Sequence, residues 1–343
     1  MKLILPWVAI GLAGAAAPAW DWGDSKDEWA SSGDFDKSRA LCRRLRDREP
    51  PASDRPGPAA EAALKGCDSE ALYYGIGRPA DPVRARQCAF VEAQAGEGGV
   101  FSGRTMLMTI YANGRGAGRD LDVAIHLACG IEGAPMESHG RVSRLAELKS
   151  KGWKGQDFHF CDDVTSGLAM GYCASHEARL AGARRESALA AMASGWTAAS
   201  RQAFERLRAA HAAYVEAHGS GEIDLSGTAR AAIAINAEEA LRDELQDVLE
   251  RLRSGRSMPT PAARLAAEDA QLNAAYRKRL QEAGGGDYPG AVTKEGIRAA
   301  ERAWLRYRDA FLAFAAVQYP RVPSDELAAW LTRRRTALLM TEE

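Results

Sequence analysis

The sequence lacks an excess of charge of either sign. Its 343 residues include 45 lysines and arginines and 46 aspartates and glutamates, for a formal net charge of −1. Proteins that bind nucleic acid or an anionic membrane surface concentrate positive charge, so this balance argues against both classes. After its first nineteen residues the chain also lacks an apolar run of transmembrane length. We therefore expect no nucleic-acid partner and no transmembrane segment in the mature chain.

Catalytic and nucleotide-binding motifs are missing as well. The chain contains no Gly-x-Ser-x-Gly, His-Glu-x-x-His or P-loop sequence. Its glycine clusters at 75–77 and 114–118 lie between predicted helices, whereas the glycines of a dinucleotide-binding motif follow a strand. The sequence therefore favours a non-enzymatic protein with no cofactor and no resident metal.

The first nineteen residues have the pattern of a secretory signal. Lys2 is followed by an apolar run from Leu3 to Ala17 and by the small-x-small sequence Ala17-Pro18-Ala19. This pattern predicts cleavage after Ala19 and a periplasmic or secreted protein of the bacterial envelope. The alternative is a retained membrane anchor, but the run is interrupted by Pro6 and is short for a hydrocarbon layer of ~30 Å.

Six cysteines are present in this exported chain. Cysteines usually form disulfides outside the cytoplasm, because the periplasm and the cell exterior are oxidising. Six cysteines allow fifteen full pairings, and composition alone leaves them all open. The cysteines are Cys42, Cys67, Cys88, Cys129, Cys161 and Cys173.

Residues 61–153 alternate Ala- and Leu-rich helical stretches with glycine-containing turns. Two of the turns share a pattern of tyrosine, two glycines and a helix-capping aspartate, and they read Tyr74-Gly75-x-Gly77-x-x-x-Asp81 and Tyr111-x-x-Gly114-x-Gly116-x-x-x-Asp120. The pattern resembles the Sel1-like repeat, which implies pairs of antiparallel helices. Because the first copy lacks the two residues between tyrosine and glycine, we expect its loop to be the tighter one.

This helix-pair interpretation predicts one disulfide. Cys67 precedes Tyr74 by seven residues, and Cys88 follows Asp81 by seven. Two cysteines at such positions lie at matched heights on antiparallel helices. We therefore predict a disulfide between Cys67 and Cys88.

The C-terminal segment carries three motifs on predicted helices. They read Asp269-x-x-Leu272-Asn273-x-x-Tyr276, then Ile297-Arg298 followed after five residues by Trp304-x-x-Tyr307-Arg308-Asp309, then Leu331-Thr332-x-x-Arg335-x-x-x-Leu339. Together they resemble the LprI-like lysozyme-inhibitor domain, over about eighty residues from Ala262 to the last residue. The resemblance implies a helical domain whose partner is a lysozyme or another envelope protein. Its candidate binding residues are Asn273, Tyr276, Trp304, Arg308 and Asp309.

The spacing of these residues also has a purely structural interpretation. Residues three and four apart share one face of a helix, as Trp304, Tyr307 and Arg308 do. Such a stripe is more often core than binding site. In that case Arg308 or Asp309 ties the domain together through an ion pair or cap with Asn273 or Asp269.

The resemblance further implies a disulfide between Cys161 and Cys173. LprI-like domains open with paired cysteines and carry a further cysteine just after the Trp-x-x-Tyr-Arg-Asp motif. This chain has Leu312 there and no cysteine after Cys173. The same region, His159-x-Cys161 and Cys173-x-x-His176, has the residue types of a zinc site. The oxidising compartment favours the disulfide with two incidental histidines. The pairing of Cys42 and Cys129 stays open.

The segment before the C-terminal domain resembles it weakly. Residues 207–215 align with residues 297–305 at a constant offset of 90. The alignment indicates either a diverged second copy of the domain or a coincidence in a chain rich in alanine and arginine.

Two polar clusters precede predicted helices. Helix capping accounts for their serines and threonines. It accounts less well for Glu222, Asp224 and Arg230, which are the strongest candidates for a functional or domain-joining site. Asp162 and Asp163 are candidates for a ligand pocket or an oxygen-rich cation site, with capping as the alternative.

We therefore predict an all-α protein. Its expected divisions are a signal peptide (1–19), a lead-in helix with a proline-rich linker (20–60), Sel1-like helix-pair repeats (61–153), a helical domain (154–257) and an LprI-like helical domain (258–343). The expected function is a non-enzymatic interaction protein, whose repeats supply a concave protein-binding surface. The alternative is a binder or hydrolase of a cell-wall fragment or small ligand that uses Glu222, Asp224 and Arg230.

Overall fold

A computed structural model describes residues 20–26, 28, 33–96, 99–284 and 288–341. Within these ranges the chain forms thirteen α-helices and no β-strand, which confirms the predicted all-α fold. None of the helices in these ranges is long and apolar enough to cross a membrane. The predicted signal peptide, residues 1–19, lies outside the described residues.

The first seven helices are short. Their bounds are α1 Asp36–Arg44, α2 Pro58–Ala63, α3 Ser69–Tyr74, α4 Pro82–Ala95, α5 Gly103–Asn113, α6 Leu121–Cys129 and α7 Pro135–Ser150. Local capping explains where several of them begin, because a side-chain oxygen satisfies amides that have no partner within the helix. Asp68 accepts a hydrogen bond from the Ala71 amide at the start of α3, and Asp81 accepts one from the Arg84 amide at the start of α4.

Six longer helices follow. Their bounds are α8 Gly167–Ala193, α9 Ala198–Gly221, α10 Arg230–Arg253, α11 Leu265–Glu282, α12 Lys294–Gln318 and α13 Ser324–Thr341. Ser166, Thr197 and Thr293 cap α8, α9 and α12 through their hydroxyl oxygens. Each of the segments that separate these six helices contains glycine or proline.

The two glycine turns of residues 61–153 have equal lengths. The Asp81 amide donates to the Leu72 carbonyl, and the Asp120 amide donates to the Tyr111 carbonyl, so each turn spans nine residues in the same register. Tyr111 therefore corresponds to Leu72 and not to Tyr74. The expectation of a tighter first loop was wrong. It rested on aligning Tyr74 with Tyr111, whereas the structure aligns the glycines of the two turns. The Sel1-like assignment itself stays a prediction.

Three disulfides cross-link the first half of the chain. Cys67–Cys88 joins the segment just before α3 to α4, and Cys161–Cys173 joins the segment before α8 to that helix, so both predicted pairs are confirmed. The pairing that the sequence left open is Cys42–Cys129, which connects α1 to α6 across 87 residues.

The chain has two hydrophobic cores, and α8 contributes one end to each of them. The first holds apolar side chains of α1 and of α3 to α7 together with Phe158, Phe160 and Cys173. The second begins at Leu189 and extends to Leu339. The beginning of α8 is therefore anchored in the first core and its end in the second.

The antiparallel pair of α9 and α12 forms the centre of the second core. Phe204 packs against Phe314, and Tyr214 stacks on Tyr307 with ring centroids 5.6 Å apart. At one end the backbones nearly touch, since a Cβ on Gly296 would lie 2.5 Å from the Gly221 carbonyl oxygen. α8 packs beside α10, and α11 packs beside α13.

Candidate functional site at the loop end

Two loops meet where α9 ends and α12 begins. One loop, residues 222–229, joins α9 to α10, and the other lies between α11 and α12; we call this region the loop end. The Leu225 amide donates to the Gly290 carbonyl at 2.8 Å, and the Tyr288 hydroxyl donates to an Asp224 carboxylate oxygen at 2.8 Å. Gly290 has a φ of 92°, and a Cβ there would lie 2.5 Å from the Leu225 carbonyl carbon. The close approach of the loops therefore requires glycine at this position.

The surface of the loop end combines a cation with an aromatic ring. Arg230 is exposed, and Tyr288 has 47% of its surface exposed. These two residues line a recess of about 710 Å³ together with Leu225, Ser226, Pro289 and Gly290. Arginine and tyrosine are enriched among the residues that contribute most to protein–protein binding. The loop end therefore has the composition of a small protein-binding surface.

Glu222 lies beneath this surface in a buried ionic cluster. Its carboxylate accepts hydrogen bonds from both terminal nitrogens of Arg335 at 2.5 and 2.9 Å and pairs with His218 Nδ1 at 2.8 Å. Arg335 Nε also donates to Glu301 at 3.1 Å. The side chains of Glu222 and Arg335 have no exposed surface. This cluster joins the end of α9 to α12 and α13.

The pKa shifts follow from these contacts. Burial alone would raise the pKa of Glu222, but the hydrogen bonds from His218 and Arg335 outweigh it and lower the pKa. Burial raises the pKa of Glu301, which the nearby Arg335 only partly opposes. On the surface, the hydrogen bond to Asp224 raises the pKa of the Tyr288 hydroxyl.

The structure therefore separates the three candidates of the 222–230 segment. Glu222 is buried and ion-paired, whereas Asp224 and Arg230 are exposed at the loop end. Tyr288 was not singled out from the sequence, although its place between glycine-rich stretches marks it as a loop residue. Arg335 was recognised only as part of a helical motif, because its partner Glu222 lies 113 residues away.

The candidate residues of the C-terminal motifs differ in burial: Trp304 is buried, Tyr276 and Arg308 are partly buried, and Asn273 and Asp309 are exposed. Trp304 is buried, with the Arg308 guanidinium 5.3 Å from its ring centroid. Arg308 lies 4.0 Å from an Asp269 oxygen and 3.3 Å from an Asp309 oxygen. Asn273 is exposed and donates to the carbonyl of Asp269, one turn earlier in its own helix. Tyr276 is partly buried against the second core.

The acidic pair lies shortly before Gly167, the first residue of α8, whose backbone approaches the Thr228 carbonyl of the 222–229 loop. The pair has structural contacts of its own. Asp163 forms an ion pair with Arg144 at 2.7 Å, and Asp162 accepts a hydrogen bond from the His159 amide. The amides of Thr165 and Ser166 donate to Glu137, whose pKa these hydrogen bonds lower against the effect of burial. These contacts attach the start of α8 to α7.

Comparison with known families identifies one segment. Residues 259–339 match the family described as lysozyme inhibitor LprI. No match was found among curated proteins or among solved structures. The matched residues begin shortly before α11 and end near the end of α13, so they include all three helices of the C-terminal segment. The C-terminal segment of this chain is thus similar to the LprI lysozyme inhibitors, as its three sequence motifs indicate.

Proposed function

We propose that this protein is an exported, non-enzymatic lysozyme-binding protein whose loop end contacts the partner. The match of residues 259–339 to the lysozyme inhibitor LprI family carries the proposal. The three disulfides fit an oxidising compartment. The active site of a lysozyme contains two carboxyl groups, so an exposed arginine such as Arg230 complements its charge.

The loop end suits this role because it is held in place before binding. The hydrogen bonds between Leu225 and Gly290 and between Tyr288 and Asp224 connect the two loops, and the Glu222–Arg335 pair anchors them from below. A surface ordered in advance loses less conformational entropy when a partner binds. Arg230 and Tyr288 are therefore the side chains that we expect to contribute most of the binding free energy.

The alternative, a cell-wall hydrolase built on the 222–230 segment, has weaker support. Such an enzyme needs one carboxyl group that stays protonated to donate a proton to the leaving group and a second carboxylate facing the substrate. The lowered pKa of Glu222 leaves that carboxyl group ionised at neutral pH. Both Glu222 and Glu301 bind the buried Arg335 guanidinium, and neither carboxyl group lines the recess at the loop end.

An inhibition assay tests the proposal. The purified mature protein is added at micromolar concentration to c-type and g-type lysozymes, and the lysis of a cell-wall suspension is followed by turbidity. We expect slower lysis, and we expect Arg230→Ala to weaken inhibition roughly 30-fold, the effect of losing about 2 kcal/mol at a binding hot spot.

Arg201→Ala is the matched control. Arg201 is an exposed arginine at the opposite end of α9. Twenty residues of helix separate it from the end of α9 at Gly221, which corresponds to roughly 30 Å at the helical rise per residue. This variant should inhibit like the unmodified protein. No inhibition of either lysozyme type at micromolar protein would refute the inhibitor function, whereas equal inhibition by Arg230→Ala would refute the loop end as the contact.

A further inference from the structure

Two histidines from different segments converge beside the Cys161–Cys173 disulfide. His159 lies two residues before Cys161, and His176 lies three residues after Cys173 in α8. Their Nε2 atoms are 3.2 Å apart. The disulfide joins the two segments covalently, so it holds the imidazoles close together.

A carboxylate completes the group. The Glu177 side chain follows His176, and its oxygen lies with the two histidine nitrogens in a set whose members are all within 4.8 Å of one another. His176 is buried, His159 is partly buried and Glu177 is exposed. Two imidazoles and one carboxylate form a donor set of zinc sites that keep a coordination position open.

The distance between the nitrogens fits such a site. Two nitrogens bound to one tetrahedral zinc ion at about 2.0 to 2.1 Å lie roughly 3.3 Å apart, and the two Nε2 atoms are 3.2 Å apart. On the far side of the ring, His176 Nδ1 pairs with Glu70 at 2.5 Å. A carboxylate behind a histidine ligand fixes the orientation of the ring and directs the Nε2 lone pair toward the metal.

Aromatic side chains and an ion pair surround the two rings and hold them in place. Phe101 stacks on His176 with ring centroids 4.2 Å apart, and Tyr74 packs edge-on against both imidazoles. A recess of about 370 Å³ reaches His176, and Phe101, Glu70 and Arg179 also line it. Arg179 pairs with Glu70 and with Asp68, which ties α8 to the start of α3.

We propose that His159, His176 and Glu177 bind one zinc ion, with Glu70 as the positioning carboxylate of His176. Without metal, the same groups form a hydrogen-bond chain in which the Cys161 amide donates to His159 Nδ1, His159 Nε2 to His176 Nε2, and His176 Nδ1 to Glu70. When zinc binds, the His159 proton moves from Nε2 to Nδ1, and the contact of 3.2 Å with the Cys161 amide is lost. Imidazole and carboxylate ligands favour zinc over magnesium and calcium, which prefer oxygen ligands alone.

The test measures zinc binding to the full mature protein with its disulfides intact. The protein is stripped with a chelator, dialysed, and titrated with zinc chloride by calorimetry, and the bound metal is counted by elemental analysis. We expect one zinc ion per chain at micromolar concentration and a rise in the thermal unfolding midpoint with zinc, because an ion that binds only the folded state stabilises it. Calcium and magnesium should produce neither effect.

His159→Asn is the informative variant. Asparagine can still accept the hydrogen bond from the Cys161 amide, so the local turn is preserved while the imidazole is removed. We expect zinc affinity to fall at least tenfold and the zinc-dependent rise of the midpoint to disappear. His139→Asn is the matched control, because that histidine pairs with Ser38 in another part of the first core, and it should bind zinc normally.

Either of two results would overturn the zinc site. One is a stripped protein that takes up no stoichiometric zinc at micromolar concentration. The other is His159→Asn that binds zinc as tightly as the unmodified protein. Both would leave the two histidines as a structural hydrogen-bonded pair.

Discussion

His211 shows how one buried residue makes stability depend on pH. Its Nε2 donates to the Leu241 carbonyl at 3.1 Å, and its ring lies 5.1 Å from that of Tyr307 on α12. Burial lowers the pKa of His211 to about 4, and the charges of Arg242 on α10 and Arg185 on α8 act in the same direction. The hydrogen bond to Leu241 opposes this shift only in part.

A lowered histidine pKa makes the folded state less stable in acid. Between pH 6.5 and about 4 the unfolded chain binds a proton at this histidine and the folded chain does not. The contribution of neutral His211 to the free energy of unfolding is therefore complete above pH 6.5 and is lost as the pH falls toward 4. The loss at pH 4.5 is about 2 to 3 kcal/mol. We expect His211→Gln, which can still donate to Leu241, to reduce the difference in unfolding free energy between pH 7.5 and 4.5 by that amount. Urea titrations at both pH values measure it, and an unchanged difference would contradict the assignment.

Arg335 is a second residue whose substitution should strongly lower the free energy of unfolding. Its side chain has no exposed surface and bonds to Glu222, Glu301 and Tyr214. Removing one partner of a buried ion pair leaves the other charge without compensation and costs about 3 to 5 kcal/mol. We expect Arg335→Met to lower the unfolding free energy by that amount in urea titrations. Arg333→Met, an exposed position on the same helix, should change it by less than about 0.5 kcal/mol.

At the scale of elements, the contact of α9 with α12 depends on two glycines. A Cβ on Gly296 would lie 2.5 Å from the Gly221 carbonyl oxygen and 2.7 Å from its Cα. Alanine is normally better than glycine inside a helix by about 1 kcal/mol, but here the clash forces the helices apart. The close approach of the helix backbones therefore outweighs helix propensity at this position.

We accordingly expect Gly296→Ala to destabilise the protein by about 1 to 2 kcal/mol, since overpacking costs typically 1 to 3 kcal/mol. Gly182→Ala is the matched control. Gly182 is also inside a helix, and its added Cβ would meet only the end of the Arg185 side chain at 3.9 Å. The control should be neutral or stabilising in thermal unfolding, and a stabilised Gly296→Ala would show that α9 and α12 do not pack this closely.

The arrangement of the six long helices also supports the interpretation of a diverged second copy. α8 packs beside α10 as α11 packs beside α13, and α9 pairs with α12. The weak alignment at an offset of 90 relates these same two central helices. We propose that residues 154–257 and 258–343 are two related three-helix units that share one core.

At the scale of the whole molecule, the family-matched segment does not contain all of its own core. Tyr307 and Phe314 of α12 pack on Tyr214 and Phe204 of α9, which lies outside residues 259–339. Exposing such a side chain costs about 1.5 to 3 kcal/mol, and Arg335 would also lose Glu222. The matched segment should therefore depend on the helices that precede it.

We expect a chain of residues 258–343 alone to lack a cooperative thermal transition or to self-associate. A chain of residues 154–343, which keeps α8 to α13, should show one cooperative thermal transition and elute from size-exclusion chromatography as a compact, non-aggregated protein. Circular dichroism and size-exclusion chromatography compare the two. A monomeric, cooperatively folding 258–343 chain would contradict the shared core.

The sequence by itself determined the features that depend on near neighbours. The caps at Asp81 and Asp120, the glycine turns and the Cys67–Cys88 pair follow from groups that lie close in the chain or on adjoining helices. The motifs of residues 259–339 likewise indicated the lysozyme inhibitor family. Such interactions form whenever the local backbone adopts the helix, so a short stretch of sequence is enough to predict them.

Only the tertiary structure decided which of the polar candidates are accessible and which residues meet. Glu222 faces Arg335 across 113 residues, and His176 faces Glu70 across 106. These encounters depend on how each helix is rotated and on which helix packs against it. The rotation and the packing partner of each helix are set by side chains from many segments in the two hydrophobic cores, so they cannot be inferred from one segment of sequence.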